Sequence, residues 1–321
     1  QEISLNAGTV SNSETPPSGR AHRRFGDRAF SGLATAAGLA ILVVLAGVAA
    51  FLVSEAWPAI TAPVADLPDG KSLLHYIWPL VFGTVLSSLI AILIAIPMAI
   101  AVALFTSHLA PKPIAMSVSY LTDLLAAIPS IIYGIWGIAV LGPASVPVTQ
   151  WLSDHFGFIP FFAGPASTTG RTMLVAGVVL ALMILPIISA VAREVFQQTP
   201  KGLQESALAL GATRWEMIRM VVLPFGRSAV VAGSMLGLGR ALGETMAVTI
   251  ILSVSGVITF DLISSENPST IAANIALQFP ESSGIDVNVL IATGLVLFAI
   301  TLAVNMAARA VIGRREAAGG R

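Results

Sequence analysis

Arg240 and Glu244 stand four positions apart in GLGRALGETMAV, residues 237–248, in the middle of a long apolar run. If that run is one helix, this spacing puts both side chains one turn apart on one face. A lone charge in hydrocarbon costs several kcal/mol and rarely faces lipid, so the glutamate reads as neutralising the arginine. A guanidinium presents a planar fork of donors that matches two oxygens of a tetrahedral oxyanion at once. Arg240 is therefore a candidate anion ligand on a path through the membrane. Glu244 would add selectivity. An oxyanion that still carries a proton, such as hydrogen phosphate, can donate to a carboxylate, whereas sulfate meets only repulsion. The same pair would also serve simply to fix helix packing.

Three further features bear on that site. Asp123, near the inner end of an earlier apolar run, is a third charge that could partner the pair. In AAIPSIIYGIWG, residues 126–137, Pro129 and Gly134 loosen a helix beside Tyr133 and Trp136, and Ser130 is a candidate for lining the path. Gly233, Ser234, Gly237, Gly239, Ala241 and Gly243 make a nearly continuous small face, which suits close helix packing in lipid.

The elements that must position these residues are apolar helices. Of 321 residues, 55% are hydrophobic and 11% charged, against about 25% charged in an ordinary soluble domain. Mean hydropathy is +0.86. Several runs reach the roughly 20 residues needed to cross a hydrocarbon core. The fold class is an all-α membrane protein with six transmembrane spans at about 32–54, 80–106, 119–141, 172–192, 226–256 and 287–310. The first is too long for a signal-peptide core and reads as a retained span. Residues 1–28 read as a disordered tail, 142–171 as an exterior segment, and 316–321 as a second tail. Cysteine is absent, and no histidine lies in a metal-ligand motif, which excludes disulfide and thiolate chemistry.

Charge fixes an orientation for this map. With the amino terminus inside, fourteen of the seventeen lysines and arginines fall in inner segments; Lys71 and Arg171 fall outside and Arg240 in the membrane. The excess of basic residues on one side places both termini in the cytoplasm.

Between spans four and five runs QQTPKGLQESALALGATRWEMIRMVVLPFGRSAV, too polar to span. Thr199 and Pro200 predict a helix start, with Thr199 as the cap. Gly211 divides two short helices, the second ending at Pro224. A solvated connector would look like this. So would a docking element, which an exposed apolar set of Leu208, Trp215 and Met217 among Arg214 and Arg219 favours. The segment resembles the EAA loop of ATP-binding-cassette importer permeases. Glu205, Ala207, Gly211, Leu223 and Pro224 match that motif, with Ser206 standing where alanine is preferred. From span one to span six the chain is similar to the permease subunits of high-affinity phosphate importers, most of all in AAIPSIIYGIWG and GLGRALGETMAV.

That resemblance implies a permease core of transmembrane helices in a bacterial cytoplasmic membrane. Its loop would dock on a cytoplasmic ATPase, and the matching arginine and glutamate would matter for transport. It also implies partners: a second permease subunit, a dimer of ATPase subunits, and an extracytoplasmic phosphate-binding protein, which residues 142–171 and 259–285 would contact. This chain would need no cofactor and would not be an enzyme, since ATP and Mg would be bound by the partner. Gly70-Lys71-Ser72 is not a phosphate-binding loop, because the required upstream glycine position holds Ala65. A permease for sulfate or molybdate is the alternative. An ion-coupled carrier would show a pair of broken, inverted helices and would leave the docking loop without a purpose.

Overall fold

A computed structural model describes residues 25–319. Residues 1–24 and 320–321, within the two expected tails, lie outside the described residues. The rest of those tails is helical: 25–28 open the first helix and 316–319 close the last.

The helices are α1 (Phe25–Thr61), α2 (Leu73–Leu104), α3 (Lys112–Ala127), α4 (Ser130–Trp136), α5 (Gly142–Phe156) and α6 (Met173–Gln197). There follow α7 (Lys201–Ala209), α8 (Arg214–Met217), α9 (Leu223–Leu242), α10 (Met246–Ile251), α11 (Ile271–Gln278) and α12 (Ile285–Gly319). Two compact units divide between Ala50 and Phe51. In the first, the described part of α1 is exposed and apolar along nearly its whole length, as a helix meant for lipid would be.

Six helical stretches are long and apolar enough to cross a membrane: Ala29–Thr61, Leu73–Leu109, Ser130–Phe156, Met173–Gln197, Arg214–Leu242 and Ile285–Ala310. The number matches the expectation, but the third and fifth stretches are rearranged. Pro129 has no N–H and forces the residue before it out of the helical region, so Ile128 is extended with φ −69° and ψ 129°. The expected span 119–141 is therefore cut in two. Its first half joins α3, whose sixteen residues reach only about 24 Å. Its second half runs on through a wide turn at Gly137–Leu141 into α5, so residues 142–156, expected as part of an exterior segment, belong to a helical stretch long and apolar enough to span.

The core of the second unit is α6 packed between α2 and α9. Val179, Ile184, Ile188 and Phe196 are fully buried. In lipid, tight packing holds helices together, and small residues let the backbones close up. A Cβ at Gly237 would sit 3.0 Å from Ile188, and one at Gly233 3.2 Å from Val191. These pairs run in opposite directions, Gly226 against Phe196 and Gly237 against Ile184, so α6 and α9 are antiparallel. The 201–222 segment thus lies at one end of α6, and 157–172 with 252–270 at the other. A second cluster joins the end of α1 to α12 through Ala56, Ala59, Val289 and Ala292, where Asn288 Nδ2 donates to Glu55 O at 2.7 Å.

Candidate functional site

The fifth stretch breaks at the motif that carries the charges. α9 ends at Leu242, Gly243 follows at φ −94° and ψ 2°, and a new short helix, α10, starts at Met246. Glycine in a helix interior is disfavoured by about 1 kcal/mol relative to alanine. Glu244 adds a competing acceptor: its Oε1 takes the Ala247 N–H at 3.1 Å, one of the donors a helix start leaves unpaired. The carboxylate is 8% exposed and sits at the positive end of the α10 dipole.

The expectation that Arg240 and Glu244 stack one turn apart on a continuous helix is therefore corrected. Arg240 lies in the last turn of α9 and is exposed, and among the described residues it forms no ion pair with Glu244. Each group answers to a different element: Glu244 holds the start of α10, and Arg240 is exposed in the last turn of α9. Residues 252–256, expected as the end of the same span, have left the helix.

Asp123 is also reassigned. It pairs with Arg193 across α3 and α6 at 3.7 Å and is more than half exposed, so it does not serve Arg240. Ser130 opens α4, half-buried, next to the Pro129 break. The residue missed in the sequence is Tyr133, 7% exposed, whose hydroxyl donates to Leu125 O at 2.8 Å and ties α4 to the end of α3. The tyrosine beside the proline break was the available signal. α4 meets α10 closely: a Cβ at Gly134 would come 2.9 Å from Ala247 Cα. Broken ends from two stretches are thus brought together.

The small face of α9 divides by role. Gly233 and Gly237 pack on α6, and Ser234 and Ala241 are buried. A Cβ added at Gly239 would meet nothing within 4 Å among the described residues. Together with Ala232, Met235 and Leu236, Gly239 faces Asn305, Ala308 and Arg309 of α12 across a groove of about 440 Å³.

The segment at the other end of α9 is a helical hairpin. Gly211 turns the chain between α7 and α8 at φ 88°, a left-handed conformation that disfavours any residue with a Cβ. Thr213 then caps α8: its Oγ1 accepts the Glu216 N–H at 3.3 Å, and Glu216 Oε2 accepts the Thr213 N–H at 2.8 Å. Thr199 does not cap α7 as expected; Pro200 holds that position, and the Thr199 hydroxyl is buried without a partner among the described residues. Nor does the second helix stop at Pro224. A wide turn at Ile218–Val222 absorbs the missing N–H, and the helix runs on into α9.

Glu205 is exposed, Ala207 and Leu223 are half-buried, and Pro224 is exposed. Leu203, Leu208, Leu210 and Trp215 present a large apolar surface, with Leu210 89% exposed. Met217, expected in that set, is 7% exposed and packs with Phe196, Ile218 and Val222. It faces inward because it roots the hairpin in the helix bundle.

Residues 95–316 match the family model of the binding-protein-dependent transport system inner membrane component. Among curated relatives, the phosphate transport system permease protein PstC 2 of Mycobacterium tuberculosis is 43% identical over 302 residues, covering 90% of this chain and 93% of the relative. PstC of Mesorhizobium japonicum is 38% identical over 319 residues, covering 92% and 93%. Among solved structures, a bacterial ABC transporter involved in import of the acidic polysaccharide alginate aligns with a TM-score of 0.53 at 20% identity, covering 88% of this chain and 99% of that one. The inward-facing MetNI methionine ABC transporter aligns with a TM-score of 0.50 at 18% identity, covering 74% and 95%. Matched in sequence along most of its length, and in fold to importers of unrelated cargo, this multi-pass chain belongs to the family of binding-protein-dependent inner-membrane transport permeases.

Proposed function

We propose that the chain is a transmembrane permease subunit of an ATP-driven importer of inorganic phosphate, and that it forms half of the translocation path. The observation that carries this reading is Arg240, an exposed guanidinium inside an apolar stretch, at a helix break and without a carboxylate partner among the described residues. Burying that charge in lipid is too costly for a packing role alone, whereas a path filled by water and anion pays nothing to keep it. The relatives named for phosphate transport support phosphate as the anion. Glu244, held at α10, would accept a hydrogen bond from the O–H that hydrogen phosphate carries.

The hairpin of α7 and α8 would dock on a separate ATPase through Leu208, Leu210 and Trp215, with Glu205 and Gly211 setting its shape. Both termini would face the cytoplasm, together with that hairpin. A second permease subunit would complete the path, and an extracytoplasmic phosphate-binding protein would deliver the anion at the opposite end. The chain itself would hold neither ATP nor Mg. The test is uptake of labelled phosphate into vesicles holding this chain and its co-expressed partners, with binding protein outside. Uptake should need ATP and ignore excess sulfate. Sulfate competition would turn the reading to a broader oxyanion importer, and uptake without ATP would overturn the docking role of the hairpin.

A further inference from the structure

α10 is a six-residue helix between two non-helical joints, Gly243–Thr245 on one side and the extended chain from Leu252 on the other. Glu244 holds its first turn. Its far end is held by Arg171, 79 residues away in sequence, whose Nη2 donates to Ile250 O at 3.3 Å and to Leu252 O at 3.1 Å. Those carbonyls close a helix, where acceptors have no partner of their own and a cation is favoured.

Arg171 is itself fixed. Its carbonyl accepts from Asn267 Nδ2 at 3.0 Å, and Asn267, fully buried, accepts the Met173 N–H on Oδ1 at 2.9 Å. Asn267 Nδ2 also reaches Ser253 O at 3.3 Å, just beyond α10. The start of α6 and the end of α10 are thus joined through two side chains.

Two details set this apart from an ordinary helix cap. Among the described residues no carboxylate pairs with Arg171, and its Nε is buried without an acceptor. An unmet buried donor is penalised, so the grip is strong in charge yet incomplete. On its other side α10 rests on α4, with Ala247, Val248 and Ile251 buried and the backbone close to Gly134. α6 and α11 also pack on it, so its place depends on these packed faces together with charged residues at its two ends.

We propose that Arg171 is a positioning residue for the anion path: by gripping the last carbonyls of α10 it fixes that helix, and so sets where Glu244 stands relative to Arg240. The consequence for transport rests on the phosphate-path reading above; the grip itself does not.

The chain has no cysteine, so a single thiol can report on α10. Val248 is 1% exposed, and a Cys there (V248C) meets a maleimide only when α10 leaves its packed position. With full-length chain and its partners in membrane vesicles, Arg171→Gln in that background should speed labelling about tenfold, the effect of losing one charge-assisted hydrogen bond. Arg171→Lys keeps the charge but serves one carbonyl at a time, and should speed it only about two- to threefold. An unchanged rate in R171Q overturns the proposal, as does an R171K as fast as R171Q. Should R171Q fail to accumulate, R171K decides: a two- to threefold rise supports the grip and an unchanged rate removes it. Labelling needs no substrate. Vesicles that do not take up phosphate but show the expected rates would defeat the substrate reading and leave the grip standing, and normal uptake with unchanged rates would do the reverse.

Discussion

Arg240 and Glu244 act through different partners, and substitutions should separate them. Arg240→Ala removes the exposed fork, and truncating one side of a hydrogen-bonded charge pair typically loses 2–5 kcal/mol, so uptake should fall by at least about 30-fold. Arg240→Lys should lie between, because a point charge cannot grip two oxygens at once. Glu244→Gln keeps an oxygen for the Ala247 N–H, so α10 should form as before. What changes is the charge. Sulfate should then compete with labelled phosphate several-fold better, and a competition curve identical to wild type would remove Glu244 from selectivity. The arginine stood out in the sequence as a candidate because an isolated cation in an apolar run has few other uses. Its partner was misread because an i, i+4 spacing has meaning only while the helix continues, and Gly243 ends it.

At the scale of elements, the breaks at Pro129 and Gly243 matter most, since they put short helices face to face. Gly134→Ala places a methyl 2.9 Å from Ala247 Cα, so α4 and α10 must part; overpacking of this kind costs about 1–3 kcal/mol and should lower the melting temperature of the purified chain. Gly239→Ala is the control on the neighbouring stretch. Nothing lies within 4 Å of its added methyl, and the helix gains propensity, so the melting temperature should hold or rise. Proline announced one break in the sequence. The other was hidden, because glycines in a membrane helix signal close packing as often as an end, and Gly233 and Gly237 pack on α6 while Gly243 ends α9.

For the whole molecule, the antiparallel course of α6 and α9 sets two functional ends. Single cysteines at Leu210 and Phe158, 89% and 80% exposed, should react with an impermeant maleimide from opposite sides of sealed vesicles, Leu210→Cys from the cytoplasmic side. Labelling of both from one side would refute the proposed orientation. Trp215→Ala removes 59%-exposed apolar surface without touching the core, so co-purification with the proposed ATPase partner should drop while the melting temperature stays. Those exposed side chains were legible through the polar segment that holds them; Met217 was not, because a helix period cannot say which of its faces is rooted in the bundle.

Composition alone determined that this chain crosses a membrane, and about how often, because hydrocarbon tolerates only long apolar helices and their lengths can be counted. The two unusual motifs also marked where charge and backbone turns would matter. Tertiary structure decided what those motifs do. Whether Glu244 neutralises Arg240 or caps α10, whether Asp123 serves the path or Arg193, and whether Arg171 is a loop cation or the grip on a broken helix all depend on which ends meet. Sequence spacing measures distance along one helix, while the chemistry here is set by contacts between breaks that lie up to 81 residues apart.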